Sequence, residues 1–263
     1  MPKFCAHLGY QFTEVHLADR FGAAADAGFT AIEHPAPYSV PAIELARHLK
    51  ARGLAWIQFA LPMGNSAAGE KGIVCHPGRE SEIEQGLERA IDYAESLSCP
   101  RIHAMSGIVP KAVSREAAIA TYTNNLRFIA DRAAQRGLEV LVESINSIDV
   151  PGYLVDRPSL ALKIIENCAR PNVRLLLDTY HATTMDEDPV GIIRSNSAAI
   201  GHVQVADHPG RHEPGTGCVP FAEVFASLDG EGYAGWVGCE YIPAGRTEDG
   251  LGWLTPYWSS QQQ

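Results

Sequence analysis

The sequence lacks the features that mark membrane, secreted and nucleic-acid-binding proteins. No stretch approaches the roughly 18 consecutive apolar residues of a membrane-spanning helix, and the first residues contain no apolar core of a secretion signal. Lys and Arg number 21 against 31 Asp and Glu, for a formal net charge of −10. Because phosphate contacts depend on Lys and Arg, a general nucleic-acid surface is not expected. We therefore expect a soluble, cytoplasmic protein with neither nucleic acid nor a membrane as its partner.

Disulfides and dinucleotide cofactors are not indicated either. The six cysteines form no C-x-x-C pair, and a chain of 263 residues can bury a large core without cross-links. We expect reduced thiols, most of them in or near the core. The turn after the first predicted strand has no G-x-G-x-x-G motif, so the usual signature of a nicotinamide-binding fold is missing.

The sequence does contain a regular alternation of strand and helix patterns. Eight short apolar segments predict buried strands, at residues 4–8, 31–33, 54–61, 101–105, 138–142, 173–177, 200–205 and 236–239, with amphipathic helix patterns between them. Continuous apolar runs are typical of parallel strands that are buried on both faces. The alternation predicts a single α/β domain over residues 1–263, a (β/α)8 TIM barrel, with residues 241–263 as a C-terminal tail.

Glycines recur where a predicted helix ends and the next strand begins, at Gly28, Gly53, Gly137 and Gly232. A helix that stops and turns back into a barrel needs a residue in the left-handed conformation, which Gly adopts without a Cβ penalty. The repeated position therefore favours a barrel over an open, doubly wound sheet.

Four consecutive predicted strands end on an oxygen-bearing side chain: Glu143, Asp178, Gln204 and Glu240. In barrels of this kind the chemistry takes place where strands end and the following loops begin. Three carboxylates that converge there would repel each other and lose hydration, and a divalent cation would remove that cost. Because all four side chains are oxygen donors, the set predicts a site for Mg²⁺ or Mn²⁺ rather than Zn²⁺.

Motifs at these strand ends resemble a known family. They are Glu-Ser-Ile-Asn at 143–146, Leu-Asp-Thr-Tyr-His at 177–181, Gly-His-Val-Gln at 201–204, Pro-Gly-Arg-His-Glu-Pro at 209–214 and Gly-Cys-Glu-Tyr at 238–241. Together they resemble the hydroxypyruvate isomerase family of the xylose isomerase-like barrels, over essentially the whole chain. The resemblance implies that the four strand-end residues bind the metal and that Glu143 and Glu240 are also the catalytic acid/base pair. It further implies that His181 and Arg211 hold the substrate.

The loops around these strand ends contain two candidate cations for an anionic substrate. Arg211 follows a Pro-Gly turn, and a guanidinium there can pair bidentately with a carboxylate. Lys71 lies in residues 62–79, a long glycine-rich connection that we interpret as a lid. A solvated lysine is an equally good interpretation of Lys71. We interpret His7, His34 and His103, which also lie near strand ends, as core or supporting histidines.

The expected activity is metal-dependent isomerisation of a small hydroxy-oxo acid through an enediolate, namely hydroxypyruvate to tartronate semialdehyde, an aldose–ketose type interconversion. A 2-oxo-tetronate isomerase or a ketose 3-epimerase could use the same site. Departures from the family pattern at residues 34–37, 71 and 146–149 lie around the substrate and leave its identity open. A multi-zinc endonuclease-like barrel and a non-catalytic binding barrel are the outside alternatives, and a homo-oligomer is compatible with the sequence.

Overall fold

A parallel sheet curls into a (β/α)8 barrel within residues 1–258, the part of the chain that this computed structural model describes. Residues 259–263, predicted to be frayed, lie outside the described residues. The strands are β1 (Lys3–His7), β2 (Ala31–Glu33), β3 (Ala55–Trp56), β4 (Phe59–Ala60), β5 (Arg101–His103), β6 (Glu139–Glu143), β7 (Val173–Asp178), β8 (Ile200–Gln204) and β9 (Trp236–Cys239). Their spatial order is β3-β2-β1-β9-β8-β7-β6-β5-β4. The predicted fold class is thus confirmed.

The sheet closes on itself within residues 55–60, inside the segment 54–61 that the sequence predicted as one strand. β3 pairs with β2, whereas β4 pairs with β5, so the same stretch of chain supplies both ends of the sheet. The Ile57 N–H donates to the Ile32 carbonyl at 2.9 Å, and the Leu61 N–H donates to the His103 carbonyl at 2.9 Å. The change of partner interrupts the strand, and this is why it appears as two short segments.

Helices separate the strands as predicted. They are α1 (Leu17–Asp26), α2 (Ala42–Arg52), α3 (Glu80–Leu97), α4 (Arg115–Ala134), α5 (Pro158–Cys168), α6 (Thr179–Thr184), α7 (Pro189–Asn196), α8 (Phe221–Gly230) and α9 (Thr255–Trp258). The sequence predicted neither α6, which starts directly after β7, nor α9 in the tail. Among residues 1–258, no helix has both the length and the apolar character that crossing a membrane would require.

Left-handed glycines end the helices where the repeat predicted them. Gly28, Gly53, Gly137 and Gly232 have φ values of 100°, 63°, 68° and 69°. In this conformation a Cβ would be strained, so the glycines let each chain segment turn directly into the next strand. The prediction from the repeat is confirmed.

The tail packs against the amino end of the barrel. The rings of Trp253 and Tyr257 each lie 5.2 Å from the ring of Phe4, at the start of β1, and Trp253 also stacks on Phe225 of α8. The six cysteines are free, and all but Cys218 are buried, in agreement with the prediction of core thiols.

Tyr122→Phe should destabilise the barrel, because it removes a buried hydrogen bond between α4 and the end of β5. The Tyr122 hydroxyl donates to the Ala104 carbonyl at 2.7 Å, and the side chain is fully buried. We expect the free energy of unfolding to fall by about 1–2 kcal/mol in urea titrations. Tyr93→Phe is the matched control: its bond to the Val40 carbonyl is half-buried, so water can replace it. Equal losses in both variants would contradict this account.

Candidate active site

The carboxyl ends of the strands open into a cavity of about 460 Å³. The predicted site residues that line it are Lys71, Glu143, His181, Gln204, Arg211 and Glu240. Asp178 is fully buried beside them, with its Oδ2 at 3.4 Å from Arg211 Nη2 and 3.7 Å from His181 Nε2. All the predicted site residues therefore meet at one place.

Strand register explains why residues so far apart in the sequence converge. In the parallel pairing of β7 and β8, Asp178 lies beside Gln204, and in the pairing of β8 and β9, Gln204 lies beside Gly238. Glu143 and Asp178 are the last residues of β6 and β7, and Glu240 directly follows β9. Strands that end at the same height place their last side chains on one rim.

Three carboxylates share this rim with little water around them. The side chains of Glu143, Asp178 and Glu240 are 7%, 0% and 13% exposed. Burial raises the pKa of Glu143 well above its ordinary value, and the charges of Glu240 and Asp178 add to the effect. Burial likewise raises the pKa of Glu240 to about 8, against the opposing charge of Arg211. The three groups cannot all carry a negative charge here unless a positive charge compensates them.

Asp178 also starts helix α6, and this fixes the direction of both its oxygens. Its Oδ1 accepts the N–H groups of Tyr180 at 2.8 Å and His181 at 3.4 Å, as the cap of the helix. Its Oδ2 remains directed at Arg211. The short helix in turn brings His181 back over the carboxylates.

His181 presents an N–H group to the carboxylates. Asn146 Oδ1 accepts the N–H groups of Ile148 and Asp149, so the Asn146 Nδ2 is the group that faces His181 Nδ1, at 2.7 Å. Burial lowers the pKa of His181 well below its ordinary value, so the ring is neutral. Because Nδ1 accepts, the proton lies on Nε2, which is 3.8 Å from Glu143 Oε1. This arrangement suits a hydrogen-bond donor to a substrate oxygen.

Arg211 is the cation closest to the carboxylates among the described residues. Its Nη2 lies 3.4 Å from Asp178 Oδ2 and 3.3 Å from Glu240 Oε1. The rings of Tyr10 and Tyr180 flank the guanidinium at 5.0 and 5.1 Å. Burial opposes its charge, but the neighbouring carboxylates outweigh burial and raise the pKa, so Arg211 stays charged.

His7 and His103 take a larger part in the site than the sequence indicated. Each is the last residue of its strand and lines the cavity: His7 Nε2 lies 3.6 Å from Glu240 Oε1, and His103 Nδ1 lies 3.5 Å from Glu143 Oε2. Burial lowers their pKa values to about 4 and about 3, so both rings are neutral at pH 7. Their strand-end positions were the signal that could have identified them. His34 instead accepts the N–H of Ala36.

Gln204 is held by a residue that the sequence analysis did not select, Glu33. The Gln204 Nε2 donates to Glu33 Oε1 at 2.8 Å, while Gln204 Oε1 is buried and has no hydrogen-bond partner in the described part of the chain. Glu33 is fully buried and also accepts from His202 Nε2 at 2.7 Å and Gln58 Nε2 at 3.2 Å. Burial works against its charge, but His202 and the hydrogen bonds outweigh burial and lower the pKa of Glu33.

These residues fit a divalent cation. Glu143, Asp178 and His181 each offer an atom, and the three atoms lie within 4.8 Å of one another. Since His181 Nε2 carries a proton, the oxygen donors are the better ligands, and the unpaired Oε1 of Gln204 adds a further one.

The loop of residues 62–79 lies over the cavity, is stabilised by contacts within itself and is anchored to α4. Glu70 accepts the Asn65 N–H at 2.6 Å and pairs with Arg79 at 2.8 Å, and Asn125 Nδ2 of α4 donates to the Val74 carbonyl at 2.8 Å. Lys71 is exposed and lines the cavity, and its contact with a substrate stays a prediction. Movement of this loop as a lid stays a prediction.

Comparison with known proteins finds isomerases and a structure described as an endonuclease, each similar over nearly the whole chain. The 2-oxo-tetronate isomerase of Pectobacterium atrosepticum is 42% identical over 257 residues, covering 98% of this chain and 98% of that protein. The hydroxypyruvate isomerase of Escherichia coli is 38% identical, covering 98% and 100%. A solved structure from Brucella melitensis, described as an AP endonuclease of family 2, is 42% identical with a TM-score of 0.95, covering 98% and 99%. The family model for the xylose isomerase-like TIM barrel matches residues 21–257. The chain therefore belongs to the xylose isomerase-like TIM barrel family, as its strand-end motifs predicted.

Proposed function

We propose that this protein is a cytoplasmic, Mg²⁺- or Mn²⁺-dependent isomerase that converts a small hydroxy-oxo acid through an enediolate. The observation that carries the proposal is the meeting of three nearly buried carboxylates, Glu143, Asp178 and Glu240, with the unpaired oxygen of Gln204 at one cavity. The names of the isomerases that are about 40% identical over nearly the whole chain support the same class.

The four strand-end residues would hold the cation, which would polarise the substrate carbonyl and stabilise the charge of an enediolate. Glu143 and Glu240 supply the proton transfers. One carboxylate removes the proton from the hydroxyl-bearing carbon, and the other, which starts protonated, gives a proton to the former carbonyl carbon. The proton of the substrate hydroxyl passes to the former carbonyl oxygen, so that carbonyl and hydroxyl exchange places. Return of the proton to the opposite face of the first carbon would instead give an epimerase.

The other charged and polar groups position the substrate. His181 Nε2 donates a hydrogen bond to a substrate oxygen, since Asn146 fixes its proton on that side of the ring. Arg211 and Lys71 supply positive charge for the substrate carboxylate. A fixed guanidinium can bind a carboxylate bidentately, whereas Lys71 on the loop acts as a mobile point charge.

Hydroxypyruvate is our first choice of substrate, and 2-oxo-tetronate is the second, since a relative at 42% identity bears that name. Both acids carry an oxo group next to a hydroxyl-bearing carbon, and they differ by one hydroxymethyl group. A proton-exchange screen decides between them: each acid, and a set of free ketoses, is incubated with protein and Mn²⁺ in D₂O. Loss of the NMR signal of the exchanging C–H identifies the substrate.

A multi-zinc nuclease is the competing function, because a similar solved structure is described as an AP endonuclease. Such a site would rely on several strand-end histidines. His7 and His103 do reach the cavity, but Gln204 occupies the ligand position on β8, and the net charge of −10 disfavours a nucleic-acid partner.

Protein treated with a chelator should regain activity with Mg²⁺ or Mn²⁺, with one ion per chain by metal analysis, because the proposed ligands are oxygens. Binding should also release protons and strengthen as the pH rises toward about 8, because burial raises the pKa of Glu240 to about 8 and raises the pKa of Glu143 as well. Calorimetry in buffers of different ionisation enthalpy measures this release. Recovery with Zn²⁺ alone, or about three Zn²⁺ per chain, would contradict the proposal.

Glu143→Gln and Glu240→Gln should each keep the metal and lose turnover by at least about 100-fold, since an amide retains an oxygen ligand but cannot remove a proton. Steady-state kinetics and metal analysis of the same samples test this. Glu139→Gln is the matched control, because Glu139 lies at the opposite end of β6 and pairs there with Arg101. A Glu143 or Glu240 variant with near wild-type turnover would refute the proton-transfer role of that residue.

Arg211→Ala should lower kcat/KM at least about tenfold for a small hydroxy-oxo acid, and much less for a neutral ketose, because a charged pair with the substrate carboxylate is lost. Mn²⁺ affinity should not fall in this variant, since removal of a cation beside Asp178 and Glu240 favours an incoming ion. Lys71→Ala should show the same selectivity more weakly. Equal losses for both substrates would favour a sugar 3-epimerase instead.

A further inference from the structure

We propose that Glu33 is a positioning residue whose carboxylate holds the side-chain amide of Gln204 with its oxygen toward the cation. The inference rests on the metal site proposed above and adds a residue that touches neither metal nor substrate. Its basis is the 2.8 Å contact between Gln204 Nε2 and Glu33 Oε1, together with the unpaired Gln204 Oε1 on the other side of the same amide.

A glutamine ligand has an orientation problem that a carboxylate ligand does not have. Its Oε1 and Nε2 ends have nearly the same shape, but only Oε1 can bind a cation, and a flipped amide would direct two N–H groups at it. An ionised carboxylate can only accept hydrogen bonds, so it selects the Nε2 end of any amide that faces it. Glu33 therefore leaves Gln204 one favourable orientation.

The Glu33 carboxylate is itself fixed in position by hydrogen bonds, so it can orient Gln204. It is fully buried, and its Oε2 accepts from His202 Nε2 at 2.7 Å and from Gln58 Nε2 at 3.2 Å. His202 and Gln204 lie on β8, Gln58 lies between β3 and β4, and Glu33 ends β2. The carboxylate is thus tied to the strands on several sides and cannot rotate away without breaking these bonds.

Gly238 of β9 provides the space that the Glu33 carboxylate occupies. A Cβ at position 238 would lie 2.2 Å from Glu33 Oε1, closer than any non-bonded contact permits. The glycine two residues before Glu240 is therefore explained by Glu33, and a methyl group there would displace the carboxylate without changing any charge.

A second metal site is the other possible role for this cluster, because Cys5, Glu33 and His202 offer ligand atoms within 4.8 Å of one another. The hydrogen-bond distance of 2.7 Å between Glu33 and His202 leaves no gap for an ion between them. Both Glu33 oxygens are already engaged by donors, so the cluster is better explained by hydrogen bonding.

The test is Mn²⁺ affinity, measured by electron paramagnetic resonance without substrate, in Glu33→Gln, Glu33→Asp and Gly238→Ala. Glu33→Gln removes the charge, Glu33→Asp keeps the charge but shortens the reach, and Gly238→Ala displaces the carboxylate. We expect each variant to bind Mn²⁺ at least about tenfold more weakly, the usual cost of losing a partner of a metal ligand. Gly22→Ala in α1 is the matched control, since its added Cβ would meet the flexible end of the Arg52 side chain, with Nη2 at 2.9 Å, and not Glu33. Its Mn²⁺ affinity should stay within about threefold.

A purely electrostatic role for Glu33 predicts a different pattern, in which Glu33→Gln binds weakly but Glu33→Asp and Gly238→Ala bind like the wild type. That result would overturn the inference. The side-chain amide protons of Gln204, identified in NMR spectra by their loss in Gln204→Glu, give a second measurement on metal-free protein. They should move toward the values of a free amide in Glu33→Asp, and unchanged positions would also refute the inference. A wild-type chain that binds no Mn²⁺ would instead refute the proposed metal site.

Discussion

The burial of four carboxylates at one end of the barrel is the constraint on which the rest of the site depends. Removing a carboxylate from water costs several kcal/mol unless partners replace the lost hydration. Glu33 has three donors, and Asp178 has two backbone N–H groups and Arg211. Burial still raises the pKa of Asp178, and it also raises the pKa values of Glu143 and Glu240. The carboxylates at this end of the barrel therefore need more positive charge than the surrounding residues supply, and a divalent cation would supply it.

Neutral histidines surround these carboxylates without competing for that role. Burial lowers the pKa values of His7, His103 and His181, so each ring can offer a hydrogen bond but no charge near neutral pH. In the described part of the chain, Arg211 and Lys71 are the basic side chains other than histidine that line the cavity. This separation of neutral rings from charged groups is what the proposed metal binding and proton transfer require.

Several residues and strand contacts stabilise the fold and also position the site. Asp178 is both the end of β7 and the cap of α6, so the start of the helix fixes the direction of one of its oxygens. Gly238 keeps β9 close to Glu33, and the register of β7 with β8 sets Asp178 beside Gln204. Errors of strand register would therefore disturb the site and the core together. A site built on strand ends in this way is held by the same contacts that close the barrel.

The sequence by itself determined the barrel, the left-handed glycines at the helix ends and the four strand-end oxygen donors, Glu143, Asp178, Gln204 and Glu240. These follow from local rules: apolar periodicity, the conformational freedom of glycine and the position of polar side chains at strand ends. Only the tertiary structure decided that Glu33 faces Gln204, that Asn146 sets the protonated nitrogen of His181, and that residues 55–60 change partners to close the sheet. These contacts join segments that are far apart in the sequence. Which atoms meet depends on how the folded chain brings these segments together, and no local sequence pattern determines that.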